Sequence, residues 1–299
     1  MLSASGAFAA TIIPYPPTAR GHREHPALAV AAPIGWQTSR MQARSALFDL
    51  YGDHLRPRGG EAPVAAVVRL LEPVGIGAPA VRTAISRMVK EGWLEPVQTG
   101  GGRGYRTTER ANRRIDSTAE RVYHRDQRHW DGRWHLLLPT PGGDRAARAR
   151  LRADLRFLGY AELVGDVWVS PFASPELPAV LERAGATAWT ARADHVEPPP
   201  TTAWDLEGLH AAYSGWLSTA ERLVDDRLGA LVVDPDQAAF AARFHLVHEW
   251  RKFLFADPGL PDELLPADWP GRPAGALFRD LGDWLRPGTD RFVARCLGD

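Results

Sequence analysis

The sequence predicts an α+β fold in three parts: an N-terminal winged helix-turn-helix, a ferredoxin-like middle domain and an all-α C-terminal domain. Three observations carry this expectation. Helical periodicity over residues 41–91 is punctuated by glycine pairs and followed by a glycine-rich hairpin. Between 134 and 191, short apolar runs and helical stretches follow the order β-α-β-β-α-β. Beyond Pro198-Pro199-Pro200 the pattern is helical again. At 299 residues the chain exceeds one ordinary domain. The divisions read as a disordered extension over 1–39, then domains at 41–127, 128–197 and 201–299.

The extension is rich in Ala and Pro, with Pro14, Pro16, Pro17, Pro26 and Pro33 too closely spaced for a packed element. Met41 directly precedes the first periodic segment and is an alternative start. Over 41–58, Leu47, Phe48, Tyr51 and Leu55 share a helical face that Gly59-Gly60 ends. Over 63–74, Pro63 suits a first helical turn, and Val64, Val67, Val68 and Leu71 keep the i, i+3, i+4, i+7 spacing. After the turn Gly75-Ile76-Gly77, Pro79 opens a third helix running to Glu91, with Val81, Ile85, Met88 and Val89 inward. Two short helices joined by a glycine turn, the second basic, are a helix-turn-helix signal. Residues 93–97 and 103–107 then form a hairpin, with a loop longer than the tightest type, and it is positioned as a wing. A basic helix over 109–125 closes the domain.

In the middle domain, strands are expected at 134–138, 161–163, 167–170 and 187–191, and helices at 144–158 and 175–184. The rear reads as helices over 205–226 and 235–256, a proline-rich corner, and shorter pieces at 274–285 and 290–297.

Composition excludes several classes. Hydrophobic residues at 44% and charged residues at 24% rule out a disordered or collagen-like chain. No apolar run is long enough to span a bilayer, so no membrane role is expected. Met1-Leu2-Ser3 lacks a secretory flank, and the single cysteine, Cys296, excludes an internal disulfide and a cysteine-rich zinc cluster. Both point to the cytoplasm. The net charge is zero but unevenly placed. Residues 40–160 carry 22 Lys and Arg against 13 Asp and Glu, whereas residues 161–299 carry 12 against 22. A basic front and acidic rear suggest that the front faces a polyanion.

The third helix gives that polyanion a surface. Arg82, Thr83, Ser86, Arg87 and Lys90 form one polar stripe with no acid between its ends. Arginines bond guanine edges or phosphates, hydroxyls suit either, and a helix fits the major groove. Arg103, Tyr105 and Arg106 of the wing lie beside glycines that permit close backbone approach to phosphate. Arg110, Arg113 and Arg114 extend the phosphate track or form a solvated face.

The runs Ser45 to Asp53 and Ala80 to Leu94, and the Arg103-Gly104-Tyr105 wing, resemble the PaaX-like family of phenylacetic-acid-catabolism repressors. Trp130-Asp131-Gly132-Arg133-Trp134, Leu246 to Phe253 and Asp257 to Gly271 agree as well. The resemblance covers about residues 41 to 297. It implies a cytoplasmic transcriptional regulator, usually a repressor, with a homodimer binding double-stranded operator DNA and an aryl-coenzyme A thioester of the phenylacetyl type releasing it. Two features depart from the family. Gly77-Ala78-Pro79 replaces the usual acidic or hydroxyl lead into the recognition helix. The first 39 residues match nothing in it.

The middle domain's topology also resembles the small ferredoxin-like nucleases of CRISPR adaptation complexes, so the alternative function is a metal-dependent nucleic-acid-cleaving enzyme. Such an enzyme needs acids at a strand end, and Trp134-His135-Leu136-Leu137-Leu138-Pro139 has none. His245, His248 and Glu249 share a helix in an order that does not fit a zincin. His248, Trp250, Arg251 and Lys252 are a candidate lining for an aromatic acyl group and an anionic phosphate. Cys296 has no partner histidine in sequence, and Gly100-Gly101-Gly102 lacks the Lys-Ser/Thr of a phosphate loop. The expectation is a regulator with no catalytic residue, metal or cofactor.

Overall fold

The computed structural model describes residues 41–113, 115, 129–140, 142–229 and 234–298. The expected extension over 1–39 lies outside these residues. So do Arg114 and Tyr123 of the basic helix expected over 109–125, of which 109–113 and 115 are helical.

The first helix is one element with three geometries. Helix α1, Ala43–Asp49, continues as a π-helical stretch, Leu50–Leu55, and a 3-10 turn, Arg56–Arg58, before left-handed Gly59 ends it. The wider π turn buries Leu50, Tyr51, His54 and Leu55 together. Strand β1, Glu61–Pro63, precedes α2, Val64–Leu71, and α3, Ala78–Lys90. The sequence reading placed the start of a helix where β1 lies. Three residues are too few to show alternation, and Pro63 is tolerated because β1 is an edge strand.

Strands β2, Leu94–Thr99, and β3, Gly102–Thr107, complete an antiparallel sheet ordered β1-β3-β2. Their loop is the two residues Gly100-Gly101, tighter than expected, because pairing continues to Thr99 opposite Gly102. Gly104 lies opposite Pro63, where a Cβ would come within 2.5 Å of the Ala62 carbonyl. Only glycine lets β1 approach this closely.

The middle of the chain has the expected β-α-β-β-α-β order. Its elements are β4 Trp134–Thr140, α4 Arg145–Phe157, β5 Ala161–Val164, β6 Val167–Ser170, α5 Leu177–Arg183 and β7 Thr187–Ala193. The antiparallel sheet runs β5-β6-β4-β7, and its core gathers Leu137, Leu151, Leu155, Tyr160, Trp168 and Val180. The Asp144 carboxylate starts α4 by accepting from the Ala147 N–H at 2.8 Å.

The rear is helical: α6 Leu206–Gly229, α7 Pro235–Trp250, α8 Phe253–Ala256 and α9 Gly271–Leu297. The single helix expected over 235–256 is therefore two. The two pieces expected at 274–285 and 290–297 are one helix that runs through Pro287. A helical proline costs about 3 kcal/mol through its missing N–H and its ring. Burial on both sides offsets this: Leu281 and Leu285 precede Pro287, while Phe292 and Val293 follow it. Gly288 adds close contact, since a Cβ there would meet that of Ala239 on α7 at 2.8 Å. No described helix is long and apolar enough to cross a membrane.

The N-terminal core does not stop at β3. Leu47, Leu50, Leu70, Ile85 and Met88 share one cluster with Phe240 and Phe244 of α7 and Phe292, Val293 and Cys296 of α9. Polar ties cross the same boundary. The Arg243 guanidinium, 5% exposed, pairs with both oxygens of Asp53 and donates through Nε to the Gly282 carbonyl at 3.3 Å. His248 Nδ1 donates to Asp49 Oδ2 at 2.7 Å, and Arg251 sits against the same carboxylate. Arg58 reaches Asp290 at 2.7 Å, and Arg69 donates to the Cys296 carbonyl at 2.5 Å.

His54 gives this boundary a pH dependence. It is buried against Phe240 and Phe244, and burial lowers its pKa from 6.5 to about 4, with Asp53 opposing and Arg243 and Arg58 adding to the shift. The unfolded chain therefore binds the extra proton first. The contribution is complete above pH 6.5 and is lost as pH falls through 4. From neutrality to pH 4 the loss is roughly 3 kcal/mol. Urea unfolding of wild type and His54→Gln at both pH values should show that difference in slope. Equal slopes would remove His54 from the account.

Candidate nucleic-acid interface

Helix α3 is oriented by its apolar side. Val81, Ala84, Ile85 and Met88 are buried, and they recur at the spacing of one helical face. The opposite side must then face outward, and Arg82, Thr83, Ser86, Arg87 and Lys90 are all exposed. Among the described residues Arg82, Arg87 and Lys90 form no ion pair. Thr83 is partly committed, because its hydroxyl donates to the Pro79 carbonyl at 2.9 Å and so offers only acceptor lone pairs outward. The helix start has no side-chain cap: Gly77 is extended and Pro79 sits in the first turn. Its first N–H groups are open to an anion.

The hairpin residues divide. Arg103 is exposed, with its guanidinium 5.9 Å from the Tyr105 ring. That ring is half-buried and packs against the shared core. Arg106 pairs with Glu95 directly across the hairpin at 2.6 Å, so much of its charge is spent within the protein. The following helix is engaged in a similar way. Arg110 lies 4.2 Å over the Trp93 ring and donates to the Glu91 carbonyl, and Arg113 pairs with Glu109 at 2.6 Å. The wide, unpaired cationic face is therefore that of α3.

The four rear residues read as an effector lining are engaged inside the protein. Trp250 is stacked on Phe278 at 4.6 Å between centroids and touches Trp216 and Phe253, which places it inside the aromatic core. Its ring is the apolar neighbour of that core and is not available to line an open site. His248 and Arg251 hold Asp49 of α1, and Lys252 pairs with Glu249. Burial holds the His248 imidazole below the usual histidine range. Cys296 is also buried, and burial pushes its thiol up, away from nucleophile chemistry.

The nuclease alternative gains no site. Among the described residues no three His, Cys, Asp or Glu side chains are grouped to hold a metal ion. Sequence reasoning missed Asp49, Asp53 and Arg243, whose contacts are separated by about two hundred residues. Two signals pointed to them: a lone arginine in Phe240-Ala-Ala-Arg-Phe244, and two acids four apart among the apolar Leu47, Phe48, Leu50, Tyr51 and Leu55.

Three family models match the chain. One described as PaaX-like protein covers residues 42–111, one described as PaaX protein central Cas2-like domain covers 127–203, and one described as PaaX-like protein C-terminal domain covers 204–295. The transcriptional repressor PaaX of Escherichia coli (strain K12) is 30% identical over 265 residues, covering 84% of this chain and 82% of that protein. Among solved structures, the uncharacterized protein Rv0674 from Mycobacterium tuberculosis is 29% identical. That match covers 85% of this chain and 99% of the other with a TM-score of 0.51.

Tyr51 fixes the hairpin to the π-helical stretch that follows α1. Its hydroxyl donates to the Tyr105 carbonyl at 3.0 Å, and burial raises its pKa above the ordinary phenol range. Tyr51→Phe leaves that carbonyl without its donor and should cost about 1–2 kcal/mol in urea unfolding. An unchanged midpoint would show that the bond contributes nothing to the hairpin's attachment.

Proposed function

The chain belongs to the PaaX-like protein family, and from that premise we propose that it is a DNA-binding transcriptional repressor whose N-terminal unit is a winged helix-turn-helix. Helix α3 enters the major groove and the β2–β3 hairpin is the wing. One observation carries the assignment: five polar or cationic side chains of α3 share an exposed face while the opposite face is locked into the core. Arg82 and Arg87 are the proposed base or phosphate contacts, Ser86 and Thr83 the hydroxyl contacts, and Lys90 a phosphate contact. Arg103 is the wing's main cation, with Arg106 and Tyr105 in supporting positions.

One copy of this surface offers too few contacts for tight specific binding, so a homodimer on a pseudo-palindromic operator is proposed. The corresponding division of labour assigns residues 41–127 to DNA, and 128–197 and 201–299 to assembly and response. The site of action is the cytoplasm. An aryl-coenzyme A thioester is the proposed inducer, and it must bind the DNA-free conformer more tightly, since equal affinity shifts nothing. The Asp49 contacts of His248 and Arg251 offer a route. An anion drawing the Arg251 guanidinium away from Asp49 would loosen α1 from α7.

Titration of the upstream region of the neighbouring operon, by gel shift or anisotropy, tests the interface. Arg82→Ala and Arg87→Ala should each weaken binding by about tenfold or more with the fold intact by circular dichroism. Lys90→Ala should weaken binding across sequences and lower the salt slope by about one. Wild-type affinity in all three variants would remove α3 from the DNA.

A further inference from the structure

The sheet that includes the hairpin carries more acid than its arginines suggest. Its register places Glu61 of β1, Arg106 of β3 and Glu95 of β2 directly opposite one another in one row. Cross-strand partners point their side chains to the same face, with Cβ atoms about 5 Å apart. The next pair along, Ala62 and Tyr105, belongs to the shared core, so the row of Arg106 and its two glutamates lies on the outward face. There Arg106 Nε donates to Glu95 Oε1 at 2.6 Å, and the two side chains are 56% and 45% exposed. With both carboxylates ionised at neutral pH the row sums to one negative charge, although it contains an arginine. Arg103 lies on the other face, beside the Tyr105 ring, and among the described residues it forms no ion pair.

We propose that Glu95 limits the affinity of this repressor for DNA by holding Arg106 away from phosphate, with Glu61 as a second repelling carboxylate beside it. The proposal rests on the reading of the hairpin as a wing. An arginine released at this place would neutralise one further phosphate, and each phosphate neutralised steepens the salt dependence of binding by about 0.9. Glu95 competes for the same guanidinium, and β2 and β3 hold the two residues in register before any DNA arrives. Phosphate contacts strengthen every sequence alike, whereas base edges discriminate. Withholding one such contact leaves discrimination to α3 and keeps the complex within reach of release.

A purely structural purpose accounts poorly for the row. Exposed ion pairs contribute little to stability. The hairpin is already fastened by the Tyr51 hydroxyl and by a β2–β3 ladder that runs from Leu94 to Thr99. Neither needs two acids around one arginine.

Titration of the full chain against the upstream region of the neighbouring operon and against a random-sequence duplex, at several salt concentrations, tests the proposal. Glu95→Gln keeps the side chain's size and an acceptor for Arg106 while removing the charge, so the hairpin should stay folded. It should bind both duplexes about threefold to tenfold more tightly at low salt, by the same factor for each, with a salt slope steeper by up to about one. Glu95→Gln/Arg106→Ala should lose that gain. Asp283→Asn on α9 frees Arg286 from another exposed pair, at 2.8 Å, and changes the net charge equally, so it should bind as wild type. Arg103→Ala should weaken binding to both duplexes, which places the hairpin at the DNA. No gain in Glu95→Gln beside that loss would overturn the proposal and leave the wing reading standing, whereas no change in either variant would remove both. An equal gain in Asp283→Asn, or a full gain kept by the double variant, would also overturn it.

Discussion

An ion pair buried between two halves of the chain constrains what is built around it. Arg243 of α7 and Asp53 of the first helical segment lie 190 residues apart and are almost wholly removed from water. Two charges taken from water cost several kcal/mol each, and only good geometry and further hydrogen bonds recover that cost. Here Arg243 faces both oxygens of Asp53 and adds the Nε bond to the Gly282 carbonyl. Losing one partner would leave the other charged and unsolvated, so α1 and α7 have one docking register that satisfies both. The aromatic stack of His54 on Phe244 and the Asp49 contacts lie along the same boundary and agree with that register.

This boundary has a mechanical meaning for α3. Its inward residues Val81, Ile85 and Met88 belong to the cluster that also contains Phe240, Phe244 and Phe292. Close-packed interiors transmit displacement because they have few alternative arrangements. A shift of α7 or α9 against α1 is therefore felt at the floor under α3. Under the repressor reading, the helical rear needs no separate lever to act on the DNA surface. It already forms part of the wall on which that surface rests, and the polar pairs at Asp49 and Asp53 are the contacts whose exchange would have two discrete outcomes.

What the sequence made legible follows from the range of the interactions involved. The two sides of α3 were readable because helical periodicity is local, and the order of elements in the middle domain was readable for the same reason. Strand β1 was not, since Glu61–Pro63 has no alternation and its identity comes from pairing with β3 more than forty residues away. Helix α9 was divided at Pro287 because a proline is a strong local stop signal, and only burial against α7 overrides it. The inward place of Trp250 and the loss of Arg106 to Glu95 likewise depend on neighbours: the first on three helices meeting, the second on the register of a tight hairpin. The Asp53 and Arg243 pair is the extreme case, with no signal beyond two polar residues in apolar surroundings.

The uneven charge of the chain resolves in the same physical terms. Many acids of the rear half are answered on the spot: Arg295 bridges Asp234 and Asp236, and Arg291 grips Asp236 at 2.7 Å. Such exposed pairs contribute little to stability, but they cancel local field. The front half's excess of arginine is treated differently. Arg44, Arg106 and Arg113 find carboxylates, whereas Arg82, Arg87 and Lys90 on α3 form no ion pair among the described residues. Like charges left side by side on a rigid helix repel one another and gain from a counter-charge supplied from outside. A continuous convex row on α3 suits an extended polyanion. Among the described residues of the front half, α3 is such a row, and its shape distinguishes its partner where net charge alone does not.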